Sequence, residues 1–365
     1  MTHPHADSLV PELLASPVSS RRSTLERMPK WLICVPLTLQ WLWLALRYRS
    51  LSLPSAANPA ITSGGLVGEG KLEYFDIMGP LARQVTAASC GVVASRDVTA
   101  EALREAMLAA ALGFPVVAKP NLGLCGYGVR RIDDAQALLA YVQAFPTGEM
   151  VVLQHYLPQE GEAGIFYARD PETDFGRVVG LALRYFPRVT GDGCATLAQL
   201  MARDVRTGRL RGTPRHEFSH DLQRVPALGE SVRLATIGST RVGGLYRNGL
   251  VHATPALQRV VDAIARDMQA FHFGRFDVRF DSIAGLEAGH FTIMEVNGAG
   301  SEAIEAWDPG IGILQGFRMI FAKQALLFSI GDAMRAKGIR PMGLLALIRL
   351  NRRQNGLVKR YPRSN

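Results

Sequence analysis

Residues 274–282 read GRFDVRFDS and residues 293–303 read IMEVNGAGSEA. Strand periodicity of two puts Asp277 with Arg279, and Glu295 with Asn297, on one face of each segment. If the two strands are neighbours, Asp277, Glu295 and Asn297 aim at one spot, a hard-oxygen set of the kind that holds Mg²⁺ against a triphosphate. The plainer alternative is an Arg279–Glu295 ion pair on a solvated sheet face. The apolar flanks Ile293, Met294 and Val296 and the Gly-rich text that follows favour the metal.

Working outward, AKPNLGLCGYGV at 118–129 places Lys119 at the end of an apolar strand, FPVVAK, followed by Gly123, Gly126 and Gly128. Glycines let the backbone approach an anion and present its N–H groups, and a lysine supplies a point charge for phosphate. A simple turn is the alternative for such a hairpin taken alone. The spacing is neither a Walker loop nor a dinucleotide fingerprint. GLVGEGKL at 65–72 has the Walker spacing but ends in leucine, so the hydroxyl that ligates Mg²⁺ is missing.

The 365 residues, 48% hydrophobic and 20% charged, have a globular composition. Four cysteines stand singly, which argues against a structural zinc site or disulfide framework and fits a reducing, cytoplasmic setting. The net charge of +9 is uneven. Residues 331–365 carry nine bases and one acid, and residues 1–50 six and three, so the body between them is slightly acidic. A nucleic-acid reader carries its basic stripe on the folded body, which excludes that class. The basic tail reads as a solubilising segment or as attraction to the inner face of an anionic membrane. Residues 31–46 hold three tryptophans in an apolar run too short to span a bilayer, with Pro36 and Gln40 inside it. That segment reads either as an interfacial helix or as a helix docked on the body.

Residues 1–30 read as loose, 31–50 as the Trp-rich helix, and 51–112 as a largely helical lead-in ending in AEALREAMLAAALG. Residues 113–337 alternate strands and helices without βαβ regularity, so the class is α+β; a basic tail occupies 338–365. Strands are expected at FPVVAKP, VRRI, VVLQHYL, GIFYARD, RVVGLALRYF, GRFDVRFD and FTIMEVN, and a last helix from Gln315 to Ala336.

The ordered set of Lys-Pro with its glycine loop, the hinge VVLQHYL, R-x-D and E-x-N resembles the ATP-grasp superfamily. FYARDPETDFGRV, FPRVTGDGCATLAQL and EVNGAGSEA look like the bacterial carboxylate–amine ligase-like proteins related to D-alanine–D-alanine ligase, over residues 70–340. The resemblance implies two α+β subdomains clasping ATP, with a reduced N-terminal domain. It also implies ligation through an acyl phosphate, with ATP and Mg²⁺ (or Mn²⁺) as cofactors and a small carboxylate and an amine as substrates. Under it, Lys119 and the Gly123–Gly128 loop hold phosphates, and Gln154, His155 and Leu157 form the adenine hinge. Glu162 (or Glu160) holds ribose, and Arg184 contacts phosphate. Arg83 is a candidate for a more N-terminal base. Arg275 and Arg279 serve the transferred group and the substrate, and Asp277, Glu295 and Asn297 hold the metal. Gly300 and Ser301 receive the substrate carboxylate, or else that loop is a turn into the last helix. Gln154 stands where a glutamate is common, and Arg184 where a lysine is. A membrane-surface ATP-binding protein without turnover is the competing reading.

Overall fold

The computed structural model describes residues 22–212, 218 and 221–365. The loose N-terminus expected over 1–30 lies outside the described residues up to position 21. From there the chain is ordered by chemistry the periodicity did not reveal. Ser23 and Glu26 form a reciprocal cap on the short helix Thr24–Arg27. Glu26 then pairs with the buried Arg206 guanidinium at 2.8 Å.

Two antiparallel sheets carry the molecule. β1 (Ser89–Val93), β2 (Val116–Pro120), β3 (Arg130–Ile132) and β4 (Met150–His155) pair in the order β1-β4-β2-β3. β5 (Gly161–Arg169) and β6 (Gly176–Tyr185) are followed by the small pair β7 (Arg188–Thr190) and β8 (Ser231–Arg233). β9 (Leu245–Asn248), β10 (Phe273–Phe280) and β11 (Thr292–Asn297) join β5 and β6 in a five-stranded sheet ordered β11-β10-β5-β6-β9. The α+β class therefore holds. β1 corrects the expectation of a mainly helical stretch from Lys71 to Leu112. Two short helices, Lys71–Asp76 and Pro80–Gln84, precede it, and only Ala100–Ala109 is a longer helix there.

Period-two alternation sorts the five-stranded sheet into two faces. Ala163, Ile165, Tyr167, Leu181, Leu183, Phe276, Val278 and Phe280 bury one face against the helix Pro255–Arg266. That helix is capped by Thr254, starts with Pro255, and turns Leu257, Val261, Ile264 and Ala265 inward. The other face carries Glu162, Phe166, Arg184, Arg275, Asp277 and Arg279. The helix Ile313–Ala336 packs against Leu53–Ala56 and the sheet. Among the described residues it alone has the length and composition to cross a membrane, but its Lys323 is buried in an ion pair with Glu305. Leu327, Phe328, Ile330 and Met334 form the buried side by which it docks on the body.

The first sheet buries its apolar side under Ala100–Ala109 and Ala135–Ala144, and residues from the far C-terminus complete that core. Residues 338–365, expected as a basic tail, contain the helix Leu344–Val358. Leu357, Val358 and Tyr361 join the core, with Tyr361 stacked on Phe145 at 4.9 Å between centroids. The bases of this segment masked its apolar stripe when charge was read alone. The Trp-rich helix Lys30–Arg47 is docked through Ile33, Leu44 and Ala45, while Trp31, Val35, Leu39, Trp43 and Leu46 stay exposed.

Tyr361 also donates its hydroxyl to the Leu122 carbonyl at 2.7 Å. Tyr361→Ala should lower unfolding stability by about 3 kcal/mol as a buried aromatic is lost. Tyr361→Phe should cost about 1 kcal/mol. Urea midpoints of the two variants check the difference.

Candidate functional site

The register of β10 on β11 sets the site. Arg275 lies opposite Asn297 and Asp277 opposite Glu295, and a bulge follows between Asp277 and Val278. The three expected metal ligands are thus brought onto two adjacent strands. Asp277 is 3% exposed. Arg275 grips it with Nε at 2.6 Å and Nη2 at 3.0 Å, Arg184 stands 3.3 Å away, and Asn297 Nδ2 donates to it at 3.3 Å. Glu295 does not pair with Arg279, so the alternative ion pair does not form. Arg279 instead meets Glu162 at 3.2 Å and the Gln159 carbonyl at 2.8 Å.

Glu295 pairs with Lys71 at 3.1 Å. The reading of the sequence missed Lys71, because GLVGEGKL was set aside once its Walker hydroxyl was absent. Its signal was the glycine-rich approach itself. A Cβ placed on Gly123 would stand 2.4 Å from Lys71 Nζ, so this lysine reaches from Glu295 toward the glycine loop. Arg83, the candidate for a base from this part of the chain, is corrected. Its guanidinium donates to the backbone carbonyls of Met78 and Asp76.

Lys119 crosses from the first sheet to the second. Its Nζ donates to Gln154 Oε1 at 2.8 Å and to the Met294 carbonyl at 3.0 Å. An ammonium has three donors, so one is left for a ligand. Burial brings the Lys119 pKa down to about 8, against the pull of Glu295. Burial by itself would raise Glu295, but Lys71 and Lys119 outweigh it and hold the carboxyl at about 2. The glutamine at the hinge thus has a structural use, accepting from the lysine without adding another buried charge.

Glu162 is buried between Arg184 (3.0 Å) and Arg279 (3.2 Å). Glu160 is engaged by Arg188 at 2.6 Å and lies nearer solvent. Glu162 and Asp277 hold the Arg184 pKa above its ordinary value although burial opposes them. The His155 N–H, expected at the hinge, donates to the Ala88 carbonyl at 2.9 Å, and Leu157 is half-buried just beyond β4. The glycine loop is tied down at its carbonyls. Gln354 donates to Gly123, and Arg241 to Cys125 and Gly126. Gly126 and Gly128 have φ of +71° and +75°, a conformation that side chains resist.

The Gly300 N–H, expected to receive a substrate carboxylate, donates to the Gly65 carbonyl at 2.6 Å, and the Ala299 N–H to Gly64 at 3.1 Å. Those donors are taken by the chain. The Ser301 hydroxyl is buried with no hydrogen-bond partner. No three Asp, Glu, His or Cys side chains converge among the described residues, so two carboxylates and the Asn297 amide are the available metal donors. Hard oxygens of this kind suit Mg²⁺ when phosphate and water complete the shell.

No family model and no curated protein matches the chain. Among solved structures it is similar to a bifunctional glutathione synthetase from Pasteurella multocida, at 15% identity and TM-score 0.36, over 69% of this chain and 36% of that one. It is similar to the D-alanine–D-alanine ligase from Bacillus anthracis at 14% and 0.39, over 76% and 71%. It is also similar to the VanG D-Ala:D-Ser ligase from Enterococcus faecalis at 14% and 0.41, over 75% and 64%. The chain spans about a third of the length of the glutathione synthetase.

Near the Lys71–Glu295 pair, burial raises the Glu69 carboxyl from 4.5 to about 7. A raised acid favours the folded state below pH 4.5, and that contribution is lost as pH climbs through 7. Glu69→Gln should therefore be more stable than the parent above pH 7, by up to about 3 kcal/mol, with the gap closing below pH 4.5. Urea unfolding across that range measures it.

Proposed function

We propose that the chain is an ATP-grasp enzyme, an ATP-dependent ligase that joins a small carboxylate to an amine through an acyl phosphate. One observation carries the reading. Lys71, Lys119, Arg184 and Arg275 surround Glu295 and Asp277 where the two sheets meet, beside a pinned glycine loop. Cations in excess of carboxylates, on rigid strands, suit a polyphosphate with a divalent ion.

In this reading the spare donor of Lys119 and the ammonium of Lys71 bind the triphosphate, and Gly123–Gly128 covers it. Gln154, His155 and Leu157 border the adenine, and Glu160 is the carboxylate with access to a ribose. Glu162 positions Arg184 and Arg279. Asp277, Glu295 and the Asn297 amide oxygen would hold Mg²⁺ (or Mn²⁺), which supplies charge neutralisation to the transferring phosphoryl group. The substrate carboxylate oxygen attacks the γ-phosphorus, its bond to the β-bridging oxygen breaks, and ADP leaves. Arg275 neutralises the equatorial oxygens during that step. The amine then attacks the acyl carbon, and phosphate leaves. Ser301, with its hydroxyl unpartnered, is available to a substrate carboxylate.

Glu295→Gln keeps the shape of the ligand and lowers its charge. ADP release should fall about 10²-fold or more while ATP affinity changes little, as when one preorganised electrostatic group is removed. Lys119→Ala should instead weaken ATP binding by about 1.5–3 kcal/mol. Near-parental turnover of folded Glu295→Gln across a Mg²⁺ titration would overturn the reading.

The exposed row on the Trp-rich helix supports a second part of the proposal, a cytoplasmic enzyme that touches an anionic membrane. Trp31, Val35, Leu39, Leu42, Trp43 and Leu46 are exposed, with Lys30, Arg47 and Arg49 at the helix ends. Apolar area beside bases is how an interfacial helix binds. Co-sedimentation with phosphatidylglycerol vesicles should fall in Leu39→Glu and with rising salt, because screening shortens to about 8 Å near physiological ionic strength.

A further inference from the structure

Lys323 and Glu305 form a buried ion pair that the proposed mechanism does not use. Lys323 comes from the helix Ile313–Ala336 and Glu305 from the turn Ile304–Trp307; they are 8% and 1% exposed. The pair lies against the polar face of the five-stranded sheet. Lys323 Nζ stands 3.1 Å from the centre of the Phe166 ring. Phe166 on β5 is opposite Arg275 on β10, whose Cζ is 5.6 Å from the same ring. On its other side Phe166 is opposite Gly180 of β6. A Cβ on Gly180 would lie 2.6 Å from Glu305 Oε1 and 2.8 Å from Lys323 Nζ, so the sheet has no side chain where the pair sits.

Contacts thus run from Asp277 through Arg275, Phe166 and Lys323 to Glu305. The segment Glu302–Glu305 touches this chain twice. The Glu302 carbonyl accepts from Arg275 Nη1 at 3.2 Å, and the Glu305 carboxylate holds Lys323. Three N–H donors of Arg275 go to Asp277 and the Glu302 carbonyl, so two of a guanidinium's five remain for a ligand. Desolvation of a buried ion pair largely offsets its attraction, and apolar side chains would join helix to sheet as well. What the charges add is direction. An ammonium over a ring face is drawn to it by the ring quadrupole, and the carboxylate fixes the ammonium there. The ring is then held in place under the guanidinium.

We propose that Lys323 and Glu305 are positioning residues for Arg275, acting through Phe166 to aim its two remaining donors at the transferring phosphoryl group. This deepens the ligase reading and rests on it. Neither residue touches the nucleotide, so the pair matters for the group in flight and not for bound ADP.

ADP with Mg²⁺ and fluoroaluminate, a stand-in for the phosphoryl group in flight, is the probe. The assay is run at about pH 7, where the Lys323 ammonium, lowered by burial to about 8, is still charged. The parent should bind ADP more tightly with fluoroaluminate than without. Lys323→Met with Glu305→Gln removes both charges at little change in volume. In that paired variant the gain should fall about 10-fold or more, because small misplacements near a reacting centre are costly, while affinity for ADP alone stays parental. Phe166→Leu keeps both charges and an apolar side chain but removes the ring. It should lose the gain in the same way, and it carries the test if the paired variant does not fold. A merely structural pair would lower the urea midpoint and leave the gain intact. An intact gain in either folded variant would overturn the positioning role and leave the nucleotide site standing. A parent that binds ADP no more tightly with fluoroaluminate would overturn the placement of Arg275 at the transferred group, and the positioning role with it.

Discussion

Burying several charges at one sheet junction is possible only if each is answered, and that requirement organises the molecule. An isolated ion in a protein interior costs several kcal/mol, so the acids and bases must interlock. Asp277 is answered by Arg275 and Arg184, Glu162 by Arg184 and Arg279, and Glu295 by Lys71. Space for the interlock comes from the facing strands. A Cβ on Gly164 would lie 2.9 Å from Arg275 Cδ and 3.2 Å from Asp277 Oδ1, so β5 has no side chain there. The apolar face of the same sheet, packed on Pro255–Arg266, keeps these strands rigid.

The same constraint joins the two sheets. Lys119 belongs to β2 by sequence but spends one of its donors on the Met294 carbonyl of β11. Its neighbour Gln154 takes another without bringing a second negative charge. The segment before the first sheet contributes in the same way. Lys71 answers Glu295, its backbone N–H donates to the Asn121 carbonyl at 3.0 Å, and Gly64 and Gly65 cover the N–H groups after β11. The segment that the resemblance cast as a reduced N-terminal domain therefore lies against both the glycine loop and the strand that carries Glu295.

The C-terminal helix acts on the site indirectly. Gln354 and Tyr361 hold the carbonyls of Gly123 and Leu122 while Tyr361 stacks in the core of the first sheet. Arg241, from the region between β8 and β9, holds the middle of the glycine loop. Fixed carbonyls on one side of a loop limit how its N–H groups can turn on the other, because each peptide is planar.

The α+β class and most strands were legible because they depend on local alternation. GRFDVRFD sorts Phe276, Val278 and Phe280 from Arg275, Asp277 and Arg279 by period alone, and the structure keeps that sorting. The helices capped by Asp134 and Thr254 rest on equally local chemistry, since the cap and the apolar stripe lie within a few residues of each other. The nearness of Asp277 to Glu295 and Asn297 followed once the two strands were taken as neighbours. Tertiary structure alone decided which bases answer which acids. Lys71 lies over two hundred residues from Glu295, and nothing in GLVGEGKL specifies that distance in space. The carbonyls that claim the Gly300 and Ala299 N–H groups and the packing of 344–361 belong to the same class. Each depends on long-range contacts whose partners local periodicity does not encode, and buried charge selects those partners only after the chain has folded.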